Sequence, residues 1–305
     1  MSQRSKVDWL AGRTKADPDA IAKALGPMFG EFGCQYLNLA ARRSGWMGYQ
    51  SSADVRICDQ VIGLCAWGGE HQRGWSHVSI TGKGCDWVAD WGVAQYCLEG
   101  LAGWQARRVD IALDTYKRET SHEAVLAAYR AGGFTNEGRP PKLTQIIGED
   151  PLQGRTIYIG SRTGAKFLRG YEKGLQLAEG VDGCTSIDGV PVEDWYRIEL
   201  EVKAKEHDLP ADIIDRRDQY LAGSYPYLQA LLSDVDPEIM VNTRERVPQL
   251  DLAAALGNVR RQYGRALFTA LVAYHGDIGA VWEKIVGREH HPDLLAAGVL
   301  LVDHE

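Results

Sequence analysis

The sequence predicts an α+β fold, in which a mixed domain of strands and helices is followed by a helical C-terminal domain. In the first part of the chain, several segments alternate apolar and polar residues with the period of two that a strand requires, and residues 195–203 are the clearest of them. Other segments repeat apolar residues every three or four positions, as amphipathic helices do. From Pro210 onward only the helical pattern continues. We therefore predict two domains, residues 1–208 and 209–305.

Capping residues and apolar spacing predict the helices of the first domain. Asp17 precedes Pro18, and an N-cap residue followed by proline at the first helical position favours a helix start. Apolar spacing predicts a second helix over residues 87–101. A third is predicted over residues 121–130, closed by two glycines.

The strands of the first domain are predicted from alternation between turn signals. In chain order they are residues 7–11, 61–67, 75–81, 107–114, 144–147, 156–159, 167–173 and 195–203. In the second domain, one apolar stripe over residues 252–271 predicts a long helix, and Asp277 is predicted to cap a last helix that ends at Val286.

The composition excludes several classes of protein. The chain has 305 residues, of which 45% are hydrophobic and 25% charged, so it is neither collagen-like nor disordered. No apolar run reaches the length of a membrane span, and the six cysteines lack zinc-finger spacing, so we expect a cytosolic protein with reduced thiols. The net charge of −7 at first argues against nucleic-acid binding.

Two predicted strands carry carboxylates on a polar face. Asp110 and Asp114 share one face of residues 107–114, and Glu199 and Glu201 share one face of residues 195–203, about 7 Å apart. Like charges placed so closely are costly unless a cation compensates them, and Mg²⁺ or Mn²⁺ prefers such oxygen ligands. The alternative is a solvated sheet face, or pairing with Arg197, Arg108 and Lys203.

The segment between these strands is strongly basic. Over residues 155–173, five basic residues stand against one acid: Arg155, Arg162, Lys166, Arg169 and Lys173 against Glu172. Arg169, Tyr171 and Lys173 alternate, so all three are predicted to project from one strand face. A tyrosine between two cations suits attack on a phosphodiester, because the cations hold the phosphate and favour the phenolate. The alternative is a half-buried structural tyrosine.

Three segments together resemble the Rep_trans family of replication initiation factors. They are RVDIALD at 108–114, TIYIGSR followed by FLRGYEKG within 156–174, and WYRIELEVK at 195–203. The segments KVDWLAG, GWMGYQSSA and HVSITGKGC, in residues 6–85, are most similar to the filamentous-phage, RstA-type branch. The resemblance implies a largely antiparallel sheet with flanking helices that carries a nicking site.

The resemblance also implies the roles of particular residues. The family's nicking tyrosine falls on Tyr171, with Arg169 and Lys173 steadying the phosphate, and its acidic metal ligands fall on Asp110, Glu199 and Glu201. The implied reaction is nicking of one strand of a double-stranded origin to leave a 5′-phosphotyrosine and a free 3′-OH, followed later by rejoining. The implied setting is the bacterial cytoplasm, and the implied partners are origin DNA with its extruded single strand, a host helicase and polymerase, and a second copy of the chain in a homodimer.

The chain departs from the family's plasmid members at Gly170, where they carry an apolar residue; a glycine there is expected to loosen the strand. The chain also lacks the His-apolar-His motif of the other large class of nickases, since Val78 and Ser79 follow His77. Any metal is therefore expected to be held mainly by carboxylates.

Further basic and aromatic residues are candidates for DNA contact. Within the first domain they are Arg155, Arg162 and Lys166; in the helical domain they are Arg260, Arg261 and Arg265, where a solvated helix face is the alternative. Trp46, Trp67 and Trp75 lie beside glycines and suit either base stacking or core packing. The helical domain is predicted to bind DNA or to mediate oligomerisation.

The sequence thus predicts a metal-dependent, site-specific DNA nickase and strand transferase that initiates rolling-circle replication. Two alternatives stay open: a conjugative relaxase of the same superfamily, and a non-catalytic DNA-binding regulator with the same fold.

Overall fold

The computed structural model describes residues 3–136, 138–150, 153–181, 183–205, 208–240 and 252–290. The chain forms two compact units, Met1–Arg244 and Glu245–Glu305. The first unit holds all the strands and most of the helices of the described residues, and the second holds two helices. The boundary between two domains near residue 208, with nicking assigned to the first and DNA binding or oligomerisation to the second, stays a prediction.

Twelve strands lie in the described part of the chain. They are β1 (Lys6–Thr14), β2 (Leu37–Ala41), β3 (Ser51–Ile57), β4 (Gln60–Trp67), β5 (Ser76–Ile80), β6 (Gln105–Thr115), β7 (Leu143–Ile147), β8 (Arg155–Gly160), β9 (Lys166–Tyr171), β10 (Ser186–Ile187), β11 (Val190–Pro191) and β12 (Tyr196–Lys203).

Ten α-helices accompany them in the same described residues. They are α1 (Pro18–Leu25), α2 (Gly30–Tyr36), α3 (Gly82–Cys85), α4 (Trp91–Glu99), α5 (His122–Arg130), α6 (Lys173–Ala178), α7 (Arg217–Ala222), α8 (Pro226–Leu231), α9 (Leu252–Ala273) and α10 (Ile278–Ile285). As predicted, Asp17 and Asp277 cap α1 and α10 by accepting hydrogen bonds from backbone N–H groups. Ser121, which was expected inside α5, caps that helix in the same way.

Ten strands form one sheet in the order β2-β3-β4-β5-β1-β6-β12-β9-β8-β7. Each neighbouring pair is antiparallel within the described residues, so the predicted antiparallel α+β fold is confirmed. The sequence did not predict β2 and β3, nor the β10–β11 hairpin. In the described residues no helix combines the length and the apolar character needed to span a membrane.

Helices cover one face of the sheet and leave the other for polar side chains. Every second residue of the strands points toward the helices; Leu10, Ile111 and Leu200 are examples. These residues form one core cluster with buried helix residues such as Ile21 of α1 and Leu228 of α8. The strand residues between them point to the opposite side of the sheet, away from these helices. We call this second side the open face.

A β-bulge shapes the central part of the open face. Val7 pairs with Ile111 and Trp9 with Asp110, so Asp8 is an extra residue in β1. A bulge bends its strand and turns a side chain in a new direction. Asp8 thereby contacts Arg197 on β12, two strands away.

Candidate active site

The three central strands β6, β12 and β9 bring the predicted site residues together on the open face. Asp110 lies opposite Glu201, and Glu199 lies opposite Arg169. Tyr171 lies opposite Arg197. Because side chains directly opposite each other share a face, Tyr171 and the three carboxylates form one cluster.

Tyr171 lies at the end of β9 with its ring between cations. The guanidinium carbon of Arg169 lies 4.8 Å from the ring centroid, and Lys173 Nζ lies 5.7 Å from it. The hydroxyl Oη lies 3.5 Å from Glu199 Oε2, at the outer limit of a hydrogen bond. The tyrosine therefore has a carboxylate within reach of its proton and positive charge beside its ring.

The positive charges of Arg197 and Arg169 lower the pKa of Tyr171, in the predicted direction, but burial outweighs them. Burial raises the pKa of Tyr171 to about 12. Glu199 adds to the rise, because its negative charge disfavours a phenolate. In this structure the hydroxyl is therefore protonated at neutral pH, and attack requires a group that removes the proton.

Lys173 does not project from the strand face as predicted. Strand β9 ends at Tyr171, and Lys173 is the first residue of α6. The next residue, Gly174, donates its N–H to the carbonyl of Trp195, directly before β12. The ammonium still reaches the ring of Tyr171, so the predicted proximity holds although its strand geometry does not.

Arginines compensate the carboxylates of the cluster. Arg108 donates to both oxygens of Asp110, at 2.8 and 2.5 Å, and its Nη2 lies 2.7 Å from Glu201 Oε2. Arg169 donates to Glu199 Oε2 at 2.5 Å. Asp110 nevertheless has its pKa raised to about 6, because burial and the charges of Glu201 and Glu199 outweigh the pairing with Arg108. Burial, more than any lack of cations, therefore disfavours the ionised form of Asp110.

The oxygen atoms of these carboxylates are the kind of ligand that a hard divalent cation prefers. Glu201 Oε1 is buried and contacts the ammonium of Lys203, yet it accepts no hydrogen bond of acceptable geometry. An oxygen of this kind is a suitable ligand for Mg²⁺ or Mn²⁺. As the described side chains stand, no group of three or more His, Cys, Asp or Glu residues is arranged to hold a metal, and Arg108 occupies the position between Asp110 and Glu201.

Arg197, one of the cations that the sequence offers as partners for the carboxylates, organises the neighbouring part of the site. Its Nε and Nη2 donate to the two oxygens of Asp114 at 2.7 and 2.6 Å, and its Nη1 donates to Asp8 at 3.2 Å. Trp195 Nε1 also donates to Asp114. The sequence indicates that Arg197 lies on the open face, because it alternates with Glu199 on the same strand.

Gly170 has a packing role that the sequence did not indicate. It is paired with Ile198 on one side and Ile157 on the other. A Cβ at this position would lie 2.7 Å from the hydroxyl of Tyr196, which is almost fully buried. The glycine makes room for the tyrosine ring where the family's plasmid members carry an apolar side chain.

The candidate DNA-binding residues of the first unit lie in three different settings. Arg155 pairs with Glu172 at 2.7 Å and with Glu123 at 2.5 Å. The Arg162 guanidinium lies 4.9 Å from the ring of Phe167. Lys166 has the opposite parity to Tyr171, lies near the ring of Tyr225 on the helix-covered side, and has its pKa lowered by burial. The structure does not bring Lys166 to the open face.

The three candidate DNA-binding residues of the second unit are exposed. Arg260, Arg261 and Arg265 lie on α9. Arg244 and Arg246, which belong to the same basic stretch of sequence, lie outside the described residues.

Comparison with models of protein families shows which family the chain belongs to. The model of the replication initiation factor family Rep_trans matches residues 105–258, about half of the chain. The chain belongs to the Rep_trans family. The Rep_trans match begins with β6 and includes Asp110, Tyr171, Glu199 and Glu201. Residues 1–104 lie outside it.

A solved structure shows the same fold. The rolling circle replication initiator protein from Geobacillus stearothermophilus is 20% identical in sequence, with a TM-score of 0.56. The likeness covers 79% of this chain and 99% of that one. No curated protein matches the chain.

Proposed function

We propose that this Rep_trans protein initiates rolling-circle replication of a filamentous phage of the RstA-type branch or of a similar element. It binds a double-stranded origin, nicks one strand at an extruded single-stranded segment, and later rejoins that strand. The observation that carries the proposal is the placement of Tyr171. It lies on the open face beside Arg169, Lys173 and Arg197, with the Glu199 carboxylate 3.5 Å from its hydroxyl.

The proposed step is an in-line displacement at phosphorus. Tyr171 Oη forms a bond to the phosphorus, and the bond from phosphorus to the 3′ oxygen breaks. The products are a 5′-phosphotyrosine and a 3′-OH that a host polymerase extends while a host helicase separates the strands. Arg169 and Lys173 stabilise the phosphate oxygens. Because one phosphodiester replaces another, the strand can be rejoined without ATP.

A divalent cation completes the proposed site. Asp110, Glu201 and the second oxygen of Glu199 would hold Mg²⁺ or Mn²⁺, and Arg108 would have to leave its present position. When bound, the ion supplies Lewis-acid polarisation of the phosphate. Arg155 and Arg162, with Arg260, Arg261 and Arg265 of α9, are proposed to contact the DNA backbone, and the C-terminal helices to bind DNA or to join two copies of the chain.

Glu199 is proposed to accept the proton of Tyr171, and the pH dependence of nicking tests this role. Since the pKa of Tyr171 is about 12, the phenolate fraction below that pH rises tenfold for each pH unit. We expect Glu199→Gln to slow nicking more at pH 7 than at pH 9, because hydroxide takes over the task at high pH. The measurement is the initial nicking rate of both proteins across this range, each at a Mg²⁺ concentration that saturates its rate, so that weaker metal binding by the variant does not contribute. An equal loss at both pH values contradicts the role.

Nicking of supercoiled DNA tests the function as a whole. A library of plasmids with candidate origins is incubated with the protein in Mg²⁺, Mn²⁺ or EDTA, and denaturing gels then detect nicked strands with covalently attached protein. We expect one class of origin to be nicked, with the product lost in EDTA. A replication origin supports the initiator, whereas a transfer origin supports the relaxase. If the protein binds an origin but nicks none in any metal, it is a regulator.

A further inference from the structure

A second cationic feature lies on β1, outside the region that matches Rep_trans. Arg13 belongs to β1 and Lys15 follows its end. Among the residues that the structure describes, neither pairs with a carboxylate. The arginines near Tyr171, by contrast, are each bound to acids. In a chain with a net charge of −7, this positive charge is uncompensated and available to an anion.

Trp75 holds the two cations in place. The guanidinium carbon of Arg13 and Lys15 Nζ each lie 4.2 Å from the centroid of its ring. Arg13 Nε donates to Gln105 Oε1 at 2.9 Å, and Lys15 Nζ donates to the carbonyl of Arg73 at 2.6 Å. We call Arg13, Lys15 and Trp75 the cation clamp. Both charges are ordered before a ligand arrives, so less side-chain entropy is lost on binding.

The cation clamp lies on the same open face as Tyr171. Arg13 pairs with His77 on β5 and with Gln105 on β6, and it has the same parity on β1 as Trp9, which pairs with Asp110. From the spacing of residues and strands, Arg13 is about 30 Å from Tyr171. The Arg108 guanidinium lies 5.1 Å from the ring of Trp9 between them. The face therefore presents cations and half-buried aromatic rings from one site to the other.

We propose that the cation clamp binds the phosphate backbone of single-stranded DNA that extends from the nicking site. The inference rests on the proposed function, since the bound strand is the one that Tyr171 nicks. Ordered cations without acidic partners match a polyanion, and the rings of Trp75 and Trp46 on this face suit unpaired bases more than a duplex. Arg13 and Lys15 neutralise phosphates, and Trp75 is a positioning residue.

The salt dependence of binding tests the proposal. The full chain is titrated in EDTA against fluorescein-labelled (dT)20, and fluorescence anisotropy gives the binding constant at several salt concentrations. Each phosphate contact to a single strand contributes about 0.7 to the slope of log K against log [salt]. We expect Arg13→Gln/Lys15→Gln to reduce this slope by about 1.4 and to weaken binding at least about tenfold at low salt.

Two sets of controls separate local contact from overall charge and from folding. Arg130→Gln/Arg139→Gln removes two exposed cations from α5 and from the loop that follows it, and it should leave the slope unchanged. Trp75→Ala keeps both charges of the clamp but removes the ring that orders the two side chains. Binding should therefore weaken about fivefold, because more side-chain entropy is lost when DNA binds. Trp75→Phe retains an aromatic ring and should bind within about twofold of the wild type.

Two results overturn the proposal: equal slopes for the clamp variant and the control variant, or no binding of (dT)20 by the wild type at low salt. The assay requires no cleavage. If the clamp variant has a smaller salt slope than the wild type but the protein never nicks DNA, only the proposed function of Tyr171 is rejected. If the protein nicks DNA but the two slopes are equal, only the clamp is rejected.

Discussion

Replacing Tyr171 with phenylalanine should abolish the covalent protein–DNA adduct and slow nicking of supercoiled origin DNA by at least about 1000-fold. The substitution removes only the attacking oxygen. The ring keeps its place beside Arg169 and Lys173, and the carboxylates keep their arginine partners. Since nothing else in the site changes, the loss measures the contribution of the nucleophile.

The matched control is Tyr158→Phe. Tyr158 lies on β8, directly opposite Arg169 and on the same open face, one strand away from Tyr171. Its loss should leave nicking within about twofold of the wild type, because a surface hydroxyl outside the reacting set contributes little. Covalent capture on denaturing gels provides the measurement for both variants. An adduct that persists in Tyr171→Phe would mean that another residue is the nucleophile.

The central features of the site could be predicted from the sequence because strand periodicity is local. Alternation in residues 195–203 placed Glu199 and Glu201 on one face, and alternation in residues 107–114 separated Asp110 from the core. The structure adds the strand order, in which β12 lies between β6 and β9. That order depends on long-range pairing, and no local pattern encodes it.

Other features depend on tertiary contacts and could not be predicted. The bulge at Asp8 arises from the register between β1 and β6, and it turns that carboxylate toward Arg197. The role of Gly170 depends on the ring of Tyr196, which lies 26 positions later in the chain. The direction of the net shift in the pKa of Tyr171 depends on burial, because desolvation outweighs the opposing charges of Arg197 and Arg169.

The distribution of charge explains how an acidic chain can serve a polyanionic substrate. Around Tyr171 the arginines are matched by acids, so this part of the open face has little excess positive charge until a cation or a conformational change frees an arginine such as Arg108. At the cation clamp the positive charge is unmatched. Affinity for DNA should therefore come from contacts distant from the reacting atoms, and it should depend steeply on salt.

Replacing Arg197 with methionine should destabilise the first unit by about 3–5 kcal/mol. The guanidinium is only 5% exposed and carries three hydrogen bonds to the carboxylates of Asp114 and Asp8. Methionine fills a similar volume, so the cost arises from two largely buried carboxylates left without their cation. The measurement is urea-induced unfolding followed by circular dichroism.

The matched control is Arg118→Met. Arg118 also pairs with two acids, Glu193 and Asp194, but its side chain is 65% exposed. Water screens these pairs, so their removal should leave the free energy of unfolding almost unchanged. In Arg197→Met/Asp114→Asn the second substitution removes one of the orphaned charges, and it should recover part of the lost stability. If Arg197→Met costs no more than Arg118→Met, water reaches the Arg197 cluster, and burial cannot be what raises the pKa of Tyr171 beside it.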